Sequence, residues 1–183
     1  MKPANVLILP GWRNSGPKHW QSLWEEAHGY TRVEQHSWTH PRRGDWISRL
    51  EDVLLSCNIE RDGPAVLVAH SLGCLHVAAW AAHSTNTHRV KAALLAAPPD
   101  VDRDDVRELL PGWSPMPRQM LPFKTVLFAS GNDPYCSPAR AREFAGAWGA
   151  AFVDAGLRDH LNDESGLGDW PEAYQQLLKL TGL

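Results

Sequence analysis

Residues 65–73 read Ala65-Val66-Leu67-Val68-Ala69-His70-Ser71-Leu72-Gly73, and the alanine-rich stretch Leu72–His83 follows without a break. Five apolar residues in succession predict a strand covered on both faces, since a half-exposed strand alternates. Leu72–His83 predicts a helix, alanine being the strongest helix former. The order is therefore strand, serine, helix, with small residues two positions away from Ser71 on either side. A turn so sharp admits only small side chains beside its neighbouring strand and helix, and it raises the serine at the carboxyl end of the sheet. The usual form of this elbow is G-x-S-x-G; Ala69 replaces the first glycine and keeps the position small. A bare A-x-S-x-G carries little specificity, and its place between a buried strand and a helix carries the inference. The helix N-terminus also favours negative charge developing beside Ser71.

Working outward, short apolar runs alternate with amphipathic ones. Strands are expected at Val6–Leu9, Thr31–His36, Ala65–Ala69, Val90–Ala96, Thr125–Ser130 and Ala151–Asp154. Trp46, Ile47, Leu50, Val53, Leu54 and Cys57 recur at helical spacing, so Asp45–Cys57 presents one apolar face. Ser137 before Pro138 is a helix start, with a capping hydroxyl and then a proline whose missing N–H does no harm. Asp169 with Glu172 resembles a capping box opening a last helix that runs to about Leu180. This alternation predicts an α/β fold, with about six mostly parallel strands and helices on both faces, as a single domain over residues 1–183. Pro111–Pro122 contains four prolines and reads as a loop. Asp100–Asp105 reads as the solvated first turn of a helix rather than a metal site. The whole span Ala97–Lys124 has room for a short helix and that loop, not for a cap domain.

A serine needs a base, and the base needs an acid to fix its tautomer. In folds with this elbow the chain order is serine, acid, histidine, the last two on loops after later strands. Asp133 follows the strand Thr125–Ser130 within Gly131-Asn132-Asp133-Pro134, and His160 lies beyond Ala151–Asp154. No histidine lies between His88 and His160, and none follows it, so His160 is the one candidate in that order. Asp154 and Asp159 are nearer in sequence, but neighbouring side chains diverge and Asp154 ends a strand, so Asp133 is the expected acid. His70, adjacent to the serine, is expected to pack or orient. His36 and His40 bracket Ser37-Trp38-Thr39 before Pro41, which is not helical, so no metal pair is expected. Oxyanion donors are expected at the backbone N–H of Leu72 and, from Pro10-Gly11-Trp12-Arg13-Asn14-Ser15-Gly16, at that of Trp12. That loop cannot be a phosphate loop, because Pro17 stands where lysine would be required.

Composition narrows the partners. The chain has 183 residues, 43% of them hydrophobic, and a formal net charge of −3. That size supports one core, and the charge gives no reason to expect nucleic acid or an anionic membrane surface. The apolar runs are too short to span a bilayer, and the opening Met1–Pro10 lacks a secretory pattern. Cys57, Cys74 and Cys136 are an odd number without C-x-x-C spacing, so a reducing cytoplasm is expected. Nine tryptophans are a large share for this length. They are expected in packing, with the loop residues Trp12, Trp38 and Trp113 also able to wall an apolar pocket.

The chain resembles the small, lidless α/β-hydrolases that include retinoblastoma-binding protein 9. The resemblance rests on Leu9-Pro10-Gly11-Trp12, Ser15-Gly16-Pro17 and His19-Trp20. It continues through His70-Ser71-Leu72-Gly73 and Asp133-Pro134 to His160-Leu161-Asn162, Glu164-Ser165-Gly166-Leu167-Gly168 and Trp170-Pro171. It implies a cofactor-free serine hydrolase on a reduced α/β-hydrolase fold. The family ordinarily has glycine before its catalytic histidine, where this chain has Asp159. The expected substrate is a small carboxylic ester or related acyl compound, turned over through an acyl-enzyme. The alternatives are a protein- or peptide-binding module on the same scaffold and an acyltransferase using the same residues.

Overall fold

The computed structural model describes residues 5–182. Its strands are β1 (Val6–Leu9), β2 (Thr31–Arg32), β3 (Ala65–His70), β4 (Val90–Ala96), β5 (Lys124–Ala129) and β6 (Ala151–Asp154). They form one parallel sheet in the order β2-β1-β3-β4-β5-β6. The helices are α1 (Trp20–His28), α2 (Arg43–Ser56), α3 (Ile59–Asp62), α4 (Leu72–His83), α5 (Asp104–Leu109), α6 (Pro138–Trp148) and α7 (Pro171–Thr181).

Side chains alternate across the sheet even though the sequence does not alternate in polarity, because both faces are covered. Leu7, Leu9, Leu67, Ala69, Ala93, Leu95, Leu127 and Ala129 share one core with Trp46, Leu50 and Leu54 of α2, with α4, and with Phe144 and Trp148 of α6. Val6, Ile8, Val66, Val68, Leu94, Val126 and Phe128 face the other way, onto Trp20 and Trp24 of α1 and Ala173 and Leu177 of α7. Six tryptophans are fully buried. Five of their indole N–H groups reach loop carbonyls, as from Trp113 to Pro41 (2.8 Å) and Trp148 to Pro117 (2.7 Å), while Trp80 donates to the Glu51 carboxylate. Burial of large rings and fixing of loops are thus done by the same residues.

Four expectations need correction. The second strand pairs only over Thr31–Arg32; Val33 N–H still donates to Ile8 O, and the chain then leaves the sheet with polar Glu34 exposed. The last helix opens one residue later than a capping box at Asp169 would place it. Trp170 is the N-cap, without a side-chain capping bond, because Pro171 takes the first helical position. The acidic cluster divides: Asp104 and Asp105 form the first turn of α5, but Asp100 is buried and ion-paired to Arg140 at 2.9 Å. Trp113 is a core residue rather than a loop wall, fully buried against Trp46. No helix among the described residues is long and apolar enough to cross a membrane.

Candidate active site

β3 ends at His70 and α4 begins at Leu72, leaving Ser71 alone at the turn with φ 54° and ψ −124°. A non-glycine residue there is strained by roughly 1–3 kcal/mol. The surroundings hold it: Ser71 N–H donates to Ala96 O at 2.9 Å, and Ser71 O accepts from Cys74 N–H. Two glycines let neighbouring backbone approach. A side chain on Gly73 would collide with the Leu9 carbonyl, and one on Gly11 would lie 2.8 Å from Ser71 Cβ and 3.1 Å from Leu72 N. The loop after β1 therefore lies directly against the elbow, with Trp12 next to Gly11 in the chain. The Leu72 N–H, first in α4, has no partner within the helix.

The other two residues arrive on loops at the same end of the sheet. β5 leads into a turn in which Asp133 Oδ1 accepts from Tyr135 N–H at 2.9 Å. His160 follows β6 on a loop whose flanking residues Asp159 (φ 47°) and Leu161 (φ 51°) are both left-handed. His160 Nε2 lies 2.8 Å from Ser71 Oγ. Its Nδ1 lies 3.0 and 2.9 Å from the two carboxylate oxygens of Asp133. An ionised carboxylate only accepts, so the ring hydrogen belongs on Nδ1 and the Nε2 lone pair faces the serine hydroxyl. The Asp133 carboxylate is almost fully buried and the His160 ring nearly so, with the Tyr135 ring 4.6 Å from the imidazole.

The competing carboxylates are engaged elsewhere. Asp154 accepts from Gly156 N–H at 2.9 Å, and Asp159 accepts from the Asn132 amide at 2.8 Å. The left-handed φ at Asp159 is the backbone that favours glycine, and aspartate is among the few side chains that tolerate it. His36 and His40 lie on the loop between β2 and α2, away from these residues in the chain and absent from the pocket lining.

Three further residues surround the imidazole: His70, expected from the sequence to pack or orient, and His19 and Trp20, for which the sequence suggested no role. His70 donates from Nε2 to the carbonyl of His160 itself, at 2.8 Å. Trp20 donates to the next carbonyl, Leu161 O, at 2.9 Å. His19 caps α1 by accepting from Gln21 N–H and packs edge-on against His70, their rings 4.6 Å apart. Burial, with the charges of Arg32 and His160, brings the His19 pKa down to about 3. Burial first, and then the neighbouring His19 and His160, hold His70 well below the usual imidazole range. Both rings are therefore neutral near pH 7. The signal for them was present in His19-Trp20, a pair with no chemistry of its own.

A pocket of about 360 Å³ opens over Ser71 and His160. Its apolar wall comes from Pro99, Val106, Leu109, Leu110 and Tyr135, and Arg13, Asn14, His19, Asn162, Asp163 and Glu164 add polar and charged lining. Trp12 lines this pocket and Trp38 does not. Such a site can hold a small molecule with one apolar and one polar end beside an aligned serine and imidazole.

A family model described as serine hydrolase matches residues 6–179. Among solved structures, a YdeN-like hydrolase from Pectobacterium atrosepticum is 27% identical, with TM-score 0.84 over 99% of this chain and 92% of that one. The ydeN gene product of B. subtilis shares the fold at 19% identity and TM-score 0.76, over 98% of this chain and 100% of that one. Est1E from Butyrivibrio proteoclasticus, described with ferulic acid bound, shares it at 12% identity and TM-score 0.71, over 97% and 89%. The search of curated proteins gave no match. The six-stranded parallel sheet with helices on both faces is a reduced α/β-hydrolase fold.

Proposed function

This chain belongs to the serine hydrolase family, and we propose that it cleaves small carboxylic esters or related acyl compounds through an acyl-enzyme on Ser71. The observation that carries this reading is the unbroken run of hydrogen bonds from Ser71 Oγ to His160 and on to Asp133. In it, His160 Nε2 takes the Ser71 hydroxyl proton as Oγ attacks the acyl carbon, and the carbonyl electron pair moves onto oxygen. The N–H groups of Trp12 and Leu72 receive that oxyanion. The carbonyl re-forms as the bond to the leaving oxygen breaks, and His160 returns the proton to that oxygen. Water then repeats the cycle on acyl-Ser71, releasing the acid. Asp133 holds the tautomer and stabilises the imidazolium without itself taking the proton.

The apolar wall suits a short acyl group, and the reading requires no cofactor. It takes the chain as one cytoplasmic domain without a cap, allied to the lidless hydrolases that include retinoblastoma-binding protein 9. A fluorophosphonate probe tests it together with p-nitrophenyl esters of graded length. Stoichiometric labelling and turnover of short esters are expected; a folded protein that does neither would make the scaffold a binding module. Release of p-nitrophenol only when an acceptor alcohol is supplied, with the acyl group recovered as an ester of that alcohol, would make it an acyltransferase.

A further inference from the structure

The residue before the nucleophile and the residue that serves as base are joined through the backbone of the base. His70 Nε2 meets His160 O at 2.8 Å, and Ser71 Oγ meets His160 Nε2 at 2.8 Å. The end of β3 thus grips one residue from two directions, by its carbonyl and by its ring. The loop needs such a grip. Left-handed residues on either side of His160 are sparsely populated backbone that persists only where surroundings over-determine it. Its carbonyls at 160 and 161 are taken in succession by His70 and by Trp20, two buried side chains from different elements.

We propose that His70 is a positioning residue for the base, its Nε2–H bond to the His160 carbonyl holding that imbalanced loop so that the imidazole stays aligned between Ser71 and Asp133. The chemistry suits the task. A carbonyl only accepts, so the His70 hydrogen belongs on Nε2. His70 and His160 rings lie 5.0 Å apart, and a neutral His70 sets no like charge against the imidazolium that forms at His160. His19 and Trp20 pack around His70 with ring centroids 4.6 and 6.2 Å away, fixing its orientation. The burial leaves the bond shielded from competing water, where losing it strands a carbonyl.

This inference rests on Ser71 and His160 being the working pair, so the test first requires ester turnover by the wild type and its loss in Ser71→Ala. Failure there would remove the proposed function, whatever His70 does. Given that control, His70→Gln, His70→Asn and His70→Leu are compared. Glutamine carries an amide N–H about as far from Cα as imidazole Nε2, whereas asparagine falls short and leucine has no donor. The expected result is a kcat lower by about 10–100-fold in the leucine and asparagine variants, the size that follows from a small misplacement of a reacting group. KM should move less than about threefold, and glutamine should restore most of the lost kcat. The downfield proton signal of His160 Nδ1–H should broaden in the first two variants and sharpen again in the third. Asparagine and glutamine are both polar, so their comparison stands if the leucine variant does not fold. Equal kcat in the glutamine and asparagine variants would overturn the proposal, as would a loss carried by KM alone.

Discussion

The Cα of Gly73 faces the Leu9 carbonyl so closely that any side chain there would collide with it and crowd the Pro10 carbonyl at 3.0 Å. The small residue two positions after the nucleophile is therefore a packing requirement between α4 and the end of β1. Gly73→Ala is expected to lower stability by more than about 3 kcal/mol, since backbone on both sides cannot give way. Urea denaturation measures it, and a loss below about 1 kcal/mol would show that the elbow relaxes.

Asp133 and Asp159 should separate cleanly. Asp133→Asn is expected to lower kcat by as much as about 10⁴-fold, the effect of neutralising the acid that holds a catalytic tautomer. Asp159→Gly leaves the imidazole contacts untouched and removes a bond to Asn132, so turnover should change by less than about tenfold. Steady-state kinetics with one ester decides, and a crippled Asp159→Gly beside an active Asp133→Asn would reverse the roles.

The pocket should favour short acyl chains. Its volume of about 360 Å³ lies near the lower end for small-molecule sites, and the apolar wall from α5 is a single short helix. Specificity constants for p-nitrophenyl esters should be higher for acetate and butyrate than for laurate, without activation at a lipid interface. A steady rise toward long chains would contradict this.

Stability should fall with acid between about pH 6.5 and 4. His76 on α4 is fully buried against α2, donating to Trp46 O, and burial brings its pKa down to about 4. In that window the unfolded chain binds a proton that the folded chain refuses, so the contribution is full above 6.5 and lost as pH falls through 4. The difference from 6.5 corresponds to roughly 3 kcal/mol. His76→Phe should flatten that part of the stability profile, and an unchanged profile would assign the acid sensitivity to other groups, His19 first.

The parts of the fold legible in the sequence are those set by neighbours along the chain. β3, Ser71 and α4 were readable because a buried run, a serine and an alanine-rich run adjoin, and Asp133 and His160 because each follows a strand. Less legible were features decided by partners far away in sequence. β2 stops early because the chain departs from β1 after Val33, although Thr31–His36 has strand character throughout. Asp169 and Glu172 fit a capping pattern, yet Pro171 sets the helix start, the same rule that correctly placed α6 after Ser137. Asp100 looked solvated until Arg140, forty residues on, buried it. The grip of His70 and Trp20 on the His160 loop joins residues 90 and 141 positions apart, which no local pattern encodes.

The central claim, nucleophilic attack by Ser71, is tested most directly by trapping the acyl-enzyme. Wild-type protein mixed with p-nitrophenyl acetate and acid-quenched within the first turnover should gain one acetyl group. Peptide mass mapping should place it on Ser71, and Ser71→Ala should show no such adduct and turnover lower by up to about 10⁶-fold. An acetyl group carried on another residue, or sustained hydrolysis by purified, folded Ser71→Ala, would contradict the account.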